Sequence, residues 1–164
     1  MSLSTATFEP KFTVHEVLST GISAASSNKT VKHLDYFASQ DLATAGGDTV
    51  VVFTQAMSGG AATIDLAVLT GTGGGSVSLV GKKIYGIGFR STTGNSNPVT
   101  VKENATEGFE FSTGDNWTMT MKSAGDIVCW SSTTGSETIA SDTNDKIGVS
   151  GTLAQSVDVI IVAG

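Results

Sequence analysis

The chain has 164 residues, of which 15% are charged, and a net charge of −6 from 15 acidic and 9 basic side chains. That length fits one domain able to bury its own core without a disulfide or metal. The cations are scattered, with Lys82-Lys83 the only adjacent pair, which argues against nucleic-acid binding and against attachment to anionic lipid.

In chain order, MSLSTATFEPKF has no basic region followed by an apolar core, so no signal peptide is expected. No run approaches 18 apolar residues, so no membrane-spanning helix is expected either. Residues 1–10 are polar and end at Pro10, reading as an N-terminal arm. Lys11 to Leu18 opens with strand alternation, Phe12 and Val14 opposing Lys11, Thr13 and His15. Residues 19–29 read as a loop, Thr30 to Phe37 as a strand with Leu34 and Tyr36 opposing His33 and Asp35, and 38–48 as a second loop.

The β-branched run Thr49 to Phe53 predicts a strand covered on both faces. Thr63 to Leu69 alternates, with Ile64, Leu66 and Val68 on one side. After the turn Gly71 to Gly75 comes Ser76 to Val80. Lys82 to Arg90 then sets Tyr85, Ile87 and Phe89 against Gly86 and Gly88, a glycine face that lets something pack closely. Ser91 to Pro98 reads as a loop or hairpin tip, followed by the short Val99 to Val101. Asn116 to Lys122 turns Trp117, Met119 and Met121 inward, Asp126 to Ser131 follows, and 132–145 is polar. Ser156 to Val162 is too apolar for a frayed end and predicts a docked strand.

No segment sustains a 3.6-residue period, and 20 Gly, 20 Ser and 23 Thr punctuate the strands. The expectation is an all-β fold, a single antiparallel β-sandwich over 11–164, jelly-roll-like, with little or no helix. Gly71-Thr72 with Ser76-Val77 echoes Gly151-Thr152 with Ser156-Val157, which would suit two equivalent hairpins.

Candidate chemistry is sparse. Gly75 and Gly81-Lys82 are five residues apart where a phosphate loop needs four, and no helix follows, so Gly71 to Gly75 reads as a hairpin turn. Asp142, Asn144 and Asp145 resemble the start of a calcium loop, but Lys146 stands where the next ligand belongs. His15 and His33 lie on polar strand faces, and a metal would need them adjacent with a third ligand such as Asp35 or Glu16. Glu107 and Glu110 could in principle flank a glycoside, but they lie near Phe109 with no second aromatic platform, so no facing carboxylate pair is placed. Trp117 reads as core and Trp130 as an exposed or interfacial ring. The single cysteine, Cys129, excludes an internal disulfide and reads as a small buried hydrophobe. No catalytic, cofactor-binding or metal residue is assigned, and no cofactor is expected.

Several segments resemble structural proteins of tailed bacteriophages. They are Val51 to Thr54, Thr63 to Leu66 with Leu69 to Thr72, Gly81 to Arg90, Asn104 to Phe109, and Val157 to Gly164. The pattern is similar to the small β-sandwich proteins that decorate or cement the phage head. The likeness lies in the style and order of elements over residues 49–164 and transfers no site residue. It implies a non-enzymatic virion protein, made in the host cytoplasm and carried on the virion surface. Its expected partners are itself, as a homo-oligomer with a trimer first, and the major capsid protein or another virion protein; nucleic acid and membrane are not. The alternative is a carbohydrate- or receptor-binding module of a phage tail or fibre.

Overall fold

The computed structural model describes residues 6–9, 11–18, 29–37, 39–71 and 74–164, with 11–18 and 29–37 as backbone. Residues 1–5 and Pro10 of the expected arm and all but Lys29 of the expected 19–29 loop lie outside the described residues.

The elements run β1 (Thr7–Phe8), β2 (Lys11–Leu18), β3 (Lys29–Phe37), β4 (Gln40–Asp41), α1 (Leu42–Ala45), β5 (Thr49–Ala56), β6 (Ala61–Asp65) and β7 (Leu69–Thr70). Then come β8 (Ser76–Val77), β9 (Ile84–Ser91), β10 (Val99–Glu103), β11 (Thr118–Met121), β12 (Ile127–Ser131), β13 (Lys146–Ser150) and β14 (Ser156–Ala163). Two four-stranded antiparallel sheets dominate, ordered β12-β9-β14-β5 and β11-β10-β13-β6. Their inward faces share one hydrophobic core, so the fold is an all-β sandwich.

The pairing is nested. Counting only the sandwich strands, the first pairs with the eighth (β5 with β14), the second with the seventh (β6 with β13), the third with the sixth (β9 with β12) and the fourth with the fifth (β10 with β11). The eight strands therefore form one long ribbon folded back on itself. Successive pairs fall in alternate sheets, and the β9–β14 and β10–β13 ladders close them.

Strict alternation fills the core. Val51, Ile161, Ile87 and Phe89 from one sheet are buried with Ile64, Ile147, Val101 and Met121 from the other. Each such side chain, fully removed from water, contributes about 1.5–3 kcal/mol. The loop after β9 is tied down by polar groups instead. Asn95 is buried; its amide donates to Ser91 Oγ at 2.9 Å and to the Ser156 carbonyl at 2.7 Å, and its Oδ1 accepts the Ser156 N–H at 3.0 Å.

Three local expectations are corrected. The alternation from Thr63 does not run to Leu69, because Asp65 Oδ1 accepts the Ala67 N–H and turns the chain, leaving Val68 exposed. The strand β13 was not expected, since Gly148 interrupts its apolar pattern. The repeated Ser-Val segments are not equivalent: Ser76–Val77 pairs only with β7, whereas Ser156–Val157 opens a central sheet strand.

Candidate functional site

The sandwich turns two unlike faces outward. On the β11-β10-β13-β6 sheet the outward rows are Thr118, Lys102, Gly148 and Thr63, then Thr120, Thr100, Ser150 and Ala61. Thr100 and Thr120 share a hydrogen bond at 3.1 Å. This face is hydroxyl-rich, with Thr118, Thr63 and Thr120 exposed.

The opposite face is apolar. Register across the four strands fixes its rows. One is Thr54, Asp158, Arg90 and Ile127; the next is Val52, Ile160, Gly88 and Cys129; the third is Val50, Val162, Gly86 and Ser131. The first is tied together by charge: Thr54 Oγ1 donates to Asp158 Oδ1 at 2.7 Å, and Arg90 Nη2 and Nε donate to Oδ2 at 2.6 and 3.0 Å.

The third row is covered. A Cβ on Gly86 would lie 2.5 Å from Leu42 Cδ1, and one on Gly47 would lie 2.6 Å from Val162 Cγ1, so α1 and its flanks pack directly onto this row. Gly86 is the position the glycine pattern pointed to, and a leucine fills the space it leaves. Leu42 N–H donates to the Ala6 carbonyl at 2.7 Å, and Ser131 Oγ donates to Gln40 Oε1 at 3.0 Å.

The middle row is uncovered. Val52 is 43% and Ile160 48% exposed, and Cys129 is exposed as well. Beside the covering segment this face forms a groove of about 530 Å³, lined among others by Phe8, Leu42, Gly88, Cys129 and Ile160. Two readings change here. The β-branched run of β5 is buried only through Val51; Val50 is half-buried on the row that α1 and its flanks cover, and Val52 faces out on the row that the described residues leave open. Cys129 is outward because Trp130 takes the inward position on β12; partial burial among apolar neighbours pushes its thiol above the ordinary range.

The other candidates resolve into structure. Glu107 pairs with Lys146, and Glu110 accepts the Gly114 N–H at 2.8 Å, so each carboxylate has its own partner. Asn144 Oδ1 accepts the Ala140 N–H at 2.6 Å and Asp145 Oδ2 the Asp142 N–H at 3.1 Å, which makes this loop a turn held by its own side chains. Gly71 and Gly75 close the β7–β8 hairpin through a 2.7 Å backbone bond. His15 stands opposite Lys32, and His33 falls at the register shift of the β2–β3 pair. Trp117 is buried and donates Nε1–H to the Phe109 carbonyl at 2.7 Å. Trp130 stacks on Phe111 with centroids 4.4 Å apart, so neither tryptophan forms an open platform. Among the described residues no cluster of three His, Cys, Asp or Glu side chains is placed to hold a metal.

The Asp158 knot makes a pH prediction. Asp158 is held below the ordinary carboxylate range, first by the Thr54 hydroxyl and then by Arg90. A depressed folded pKa adds stability that is present above the unfolded value and lost as pH falls through the folded one. Asp158→Asn is therefore expected to flatten the acid limb of a Tm-against-pH profile below about pH 4. The loss at neutral pH should stay under about 1 kcal/mol, because Arg90 is largely exposed. An unchanged acid limb would remove Asp158 from the account.

Compared with known proteins, no family model, curated protein or solved structure matches the chain.

Proposed function

We propose that the chain is a non-enzymatic structural protein of a viral particle, a capsid decoration or cement protein that oligomerises on the virion surface and stabilises the shell by protein–protein contacts. The observation that carries this reading is the open apolar row Val52, Ile160, Gly88 and Cys129 across one sheet, opposite a hydroxyl-covered sheet. A contiguous exposed apolar strip on a rigid sheet is the mark of a surface that another protein covers. The nested strand order supports reading the sandwich as a jelly roll, an architecture used by viral capsid domains as well as by lectins and cupins. Fold alone selects no function among these, so the weight rests on the face. The likeness of residues 49–164 to phage head proteins supports the same reading.

The test is co-sedimentation with shells of the encoding virus assembled without this chain. Saturable binding at a fixed whole-number ratio to the major capsid protein is expected. Failure to pellet with shells at any concentration overturns the reading.

A further inference from the structure

One strand edge of the sandwich is left unprotected. The edges of the two large sheets are β12 and β5 in one and β11 and β6 in the other. β12, β11 and β6 are short, at five, four and five residues, whereas β5 runs for eight, from Thr49 to Ala56. Proteins blunt exposed edges with short strands, charges, proline or bulges. β5 has no charged residue and no proline, and its ladder to β14 keeps one register throughout.

Parity says which groups of that edge are open. Met57 N–H donates to the Gln155 carbonyl at 2.9 Å. The odd-numbered residues of β5 therefore exchange backbone bonds with β14, as Gln55 with Val157, Phe53 with Val159 and Val51 with Ile161. The Thr92 N–H on the Ser156 carbonyl agrees, since it gives the even-numbered residues of β14 to β9. The N–H and C=O of Val50, Val52 and Thr54 thus point out of the sheet edge, and among the described residues nothing bonds them. The side chains of the same residues stand on the outward rows, where Val52 is 43% exposed.

The edge matches itself. An antiparallel partner that satisfies those groups sets even residues opposite even ones. Centred on Val52, a second β5 places Val52 opposite Val52 and Val50 opposite Thr54 on the outer side. On the inner side it places Val51 opposite Phe53 and Thr49 opposite Gln55. Apolar side chains then meet apolar ones, and polar meet polar. Moving the centre by one residue sets Val51 against Gln55 or Phe53 against Thr49 instead.

Charge points to the same partner. The molecule carries −6 overall, so two copies repel wherever unpaired carboxylates face each other. Thr49 to Ile64 holds no charge of either sign. Asp48, just before β5, is paired with Lys82 at 2.8 Å, and Asp158, beside Thr54, with Arg90 at 2.6 Å. A strongly charged partner strand finds no counter-charge along this edge, and a second copy meets no like charge.

We propose that β5 pairs antiparallel with β5 of a second copy about a two-fold axis at Val52, merging their β12-β9-β14-β5 sheets into one of eight strands. The contact is isologous, so it closes at two chains. The open apolar row runs unbroken from one copy into the other and stays free for the shell. This rests on the oligomeric reading above and names the surface that builds the oligomer.

Light scattering after size exclusion should give wild type at twice the 16.7 kDa of one chain. Val52→Pro should run as a single folded chain, because it removes an N–H that its own sheet does not use and the pairing needs. Val52→Lys, which sets two like charges opposite each other, replaces it should Val52→Pro not fold. Cross-linking reads the register. In a Cys129→Ser background, Val52→Cys should form a covalent dimer under copper–phenanthroline oxidation, since paired Cα atoms about 5.5 Å apart suit a disulfide. Ala56→Cys, exposed but roughly 26 Å from its copy in this register, should not. A monomeric wild type, a mass of three or more chains, folded Val52 variants that stay dimeric, or equal cross-linking at both positions overturns the pairing. A monomeric wild type that still pellets with shells overturns the pairing alone and leaves the particle reading standing. A β5-paired dimer that never pellets with shells keeps the pairing and overturns the particle reading.

Discussion

Phe109→Ala is expected to destabilise the protein by about 3–5 kcal/mol and to lower Tm by on the order of 10 °C. Phe109 is fully buried although it lies in a loop between β10 and β11. Its ring meets Phe111 edge-on at 5.2 Å, Phe111 leans on Trp117 at 4.8 Å, and Phe111 stacks on Trp130 of the other sheet. The ring thus begins an aromatic relay that plugs one end of the sandwich. Its backbone is held independently, since Phe109 N–H donates to the Lys146 carbonyl at 2.8 Å and its own carbonyl accepts the Trp117 indole. Alanine keeps both bonds, so the loss measures the ring and the cavity it leaves. Urea denaturation reads it directly; a cost below about 1 kcal/mol would mean that the plug is not part of the core.

The second large effect is polar. Asn95→Ala should cost about 1–3 kcal/mol, because it takes the Asn95 acceptor from the half-buried Ser156 N–H and one donor from the Ser156 carbonyl, which keeps the Thr92 N–H at 3.4 Å. Those two groups lie at the start of β14, so the variant loosens the strand that is central to its sheet. Asn97→Ala, two residues away and exposed, is the control and should fall within about 0.5 kcal/mol of wild type. Equal losses in the two variants would show that loop composition, and not the Asn95 clamp, sets the effect.

Most strands were legible because their signal is local. Ile87 and Phe89 against Gly86 and Gly88, or Met119 and Met121 against Thr118 and Thr120, declare a pleat within a few residues. What alternation cannot declare is which side is covered. Val50, Val51 and Val52 look alike in the sequence, yet only Val51 is buried, because coverage depends on strands more than 100 residues away along the chain. Cys129 was misread for the same reason: Trp130, larger and drawn into the Phe111 stack, decides which parity of β12 faces in. Asp65 and Asn95 were silent because a side chain that bonds a turn or clamps a loop looks like any other polar loop residue. The candidate face was hidden most deeply. Its rows hold residues from β5, β9, β12 and β14 and exist only once register is known.

The nested strand pairing has a consequence for how the protein is made. Thr54 bonds Asp158, 104 residues later, so β5 emerges from the ribosome long before β14, its one sheet partner among the described residues, exists. At about 5–20 residues per second that wait is roughly 5–20 s. Throughout it the run Val50 to Phe53 is an unsatisfied, aggregation-prone edge. Synthesis can complete the inner hairpin of β10 and β11 early, but the outermost pair must close last, after translation has passed Ala163. Until β14 arrives, the outward and inward apolar residues of β5 lack the ladder that the folded sheet gives them.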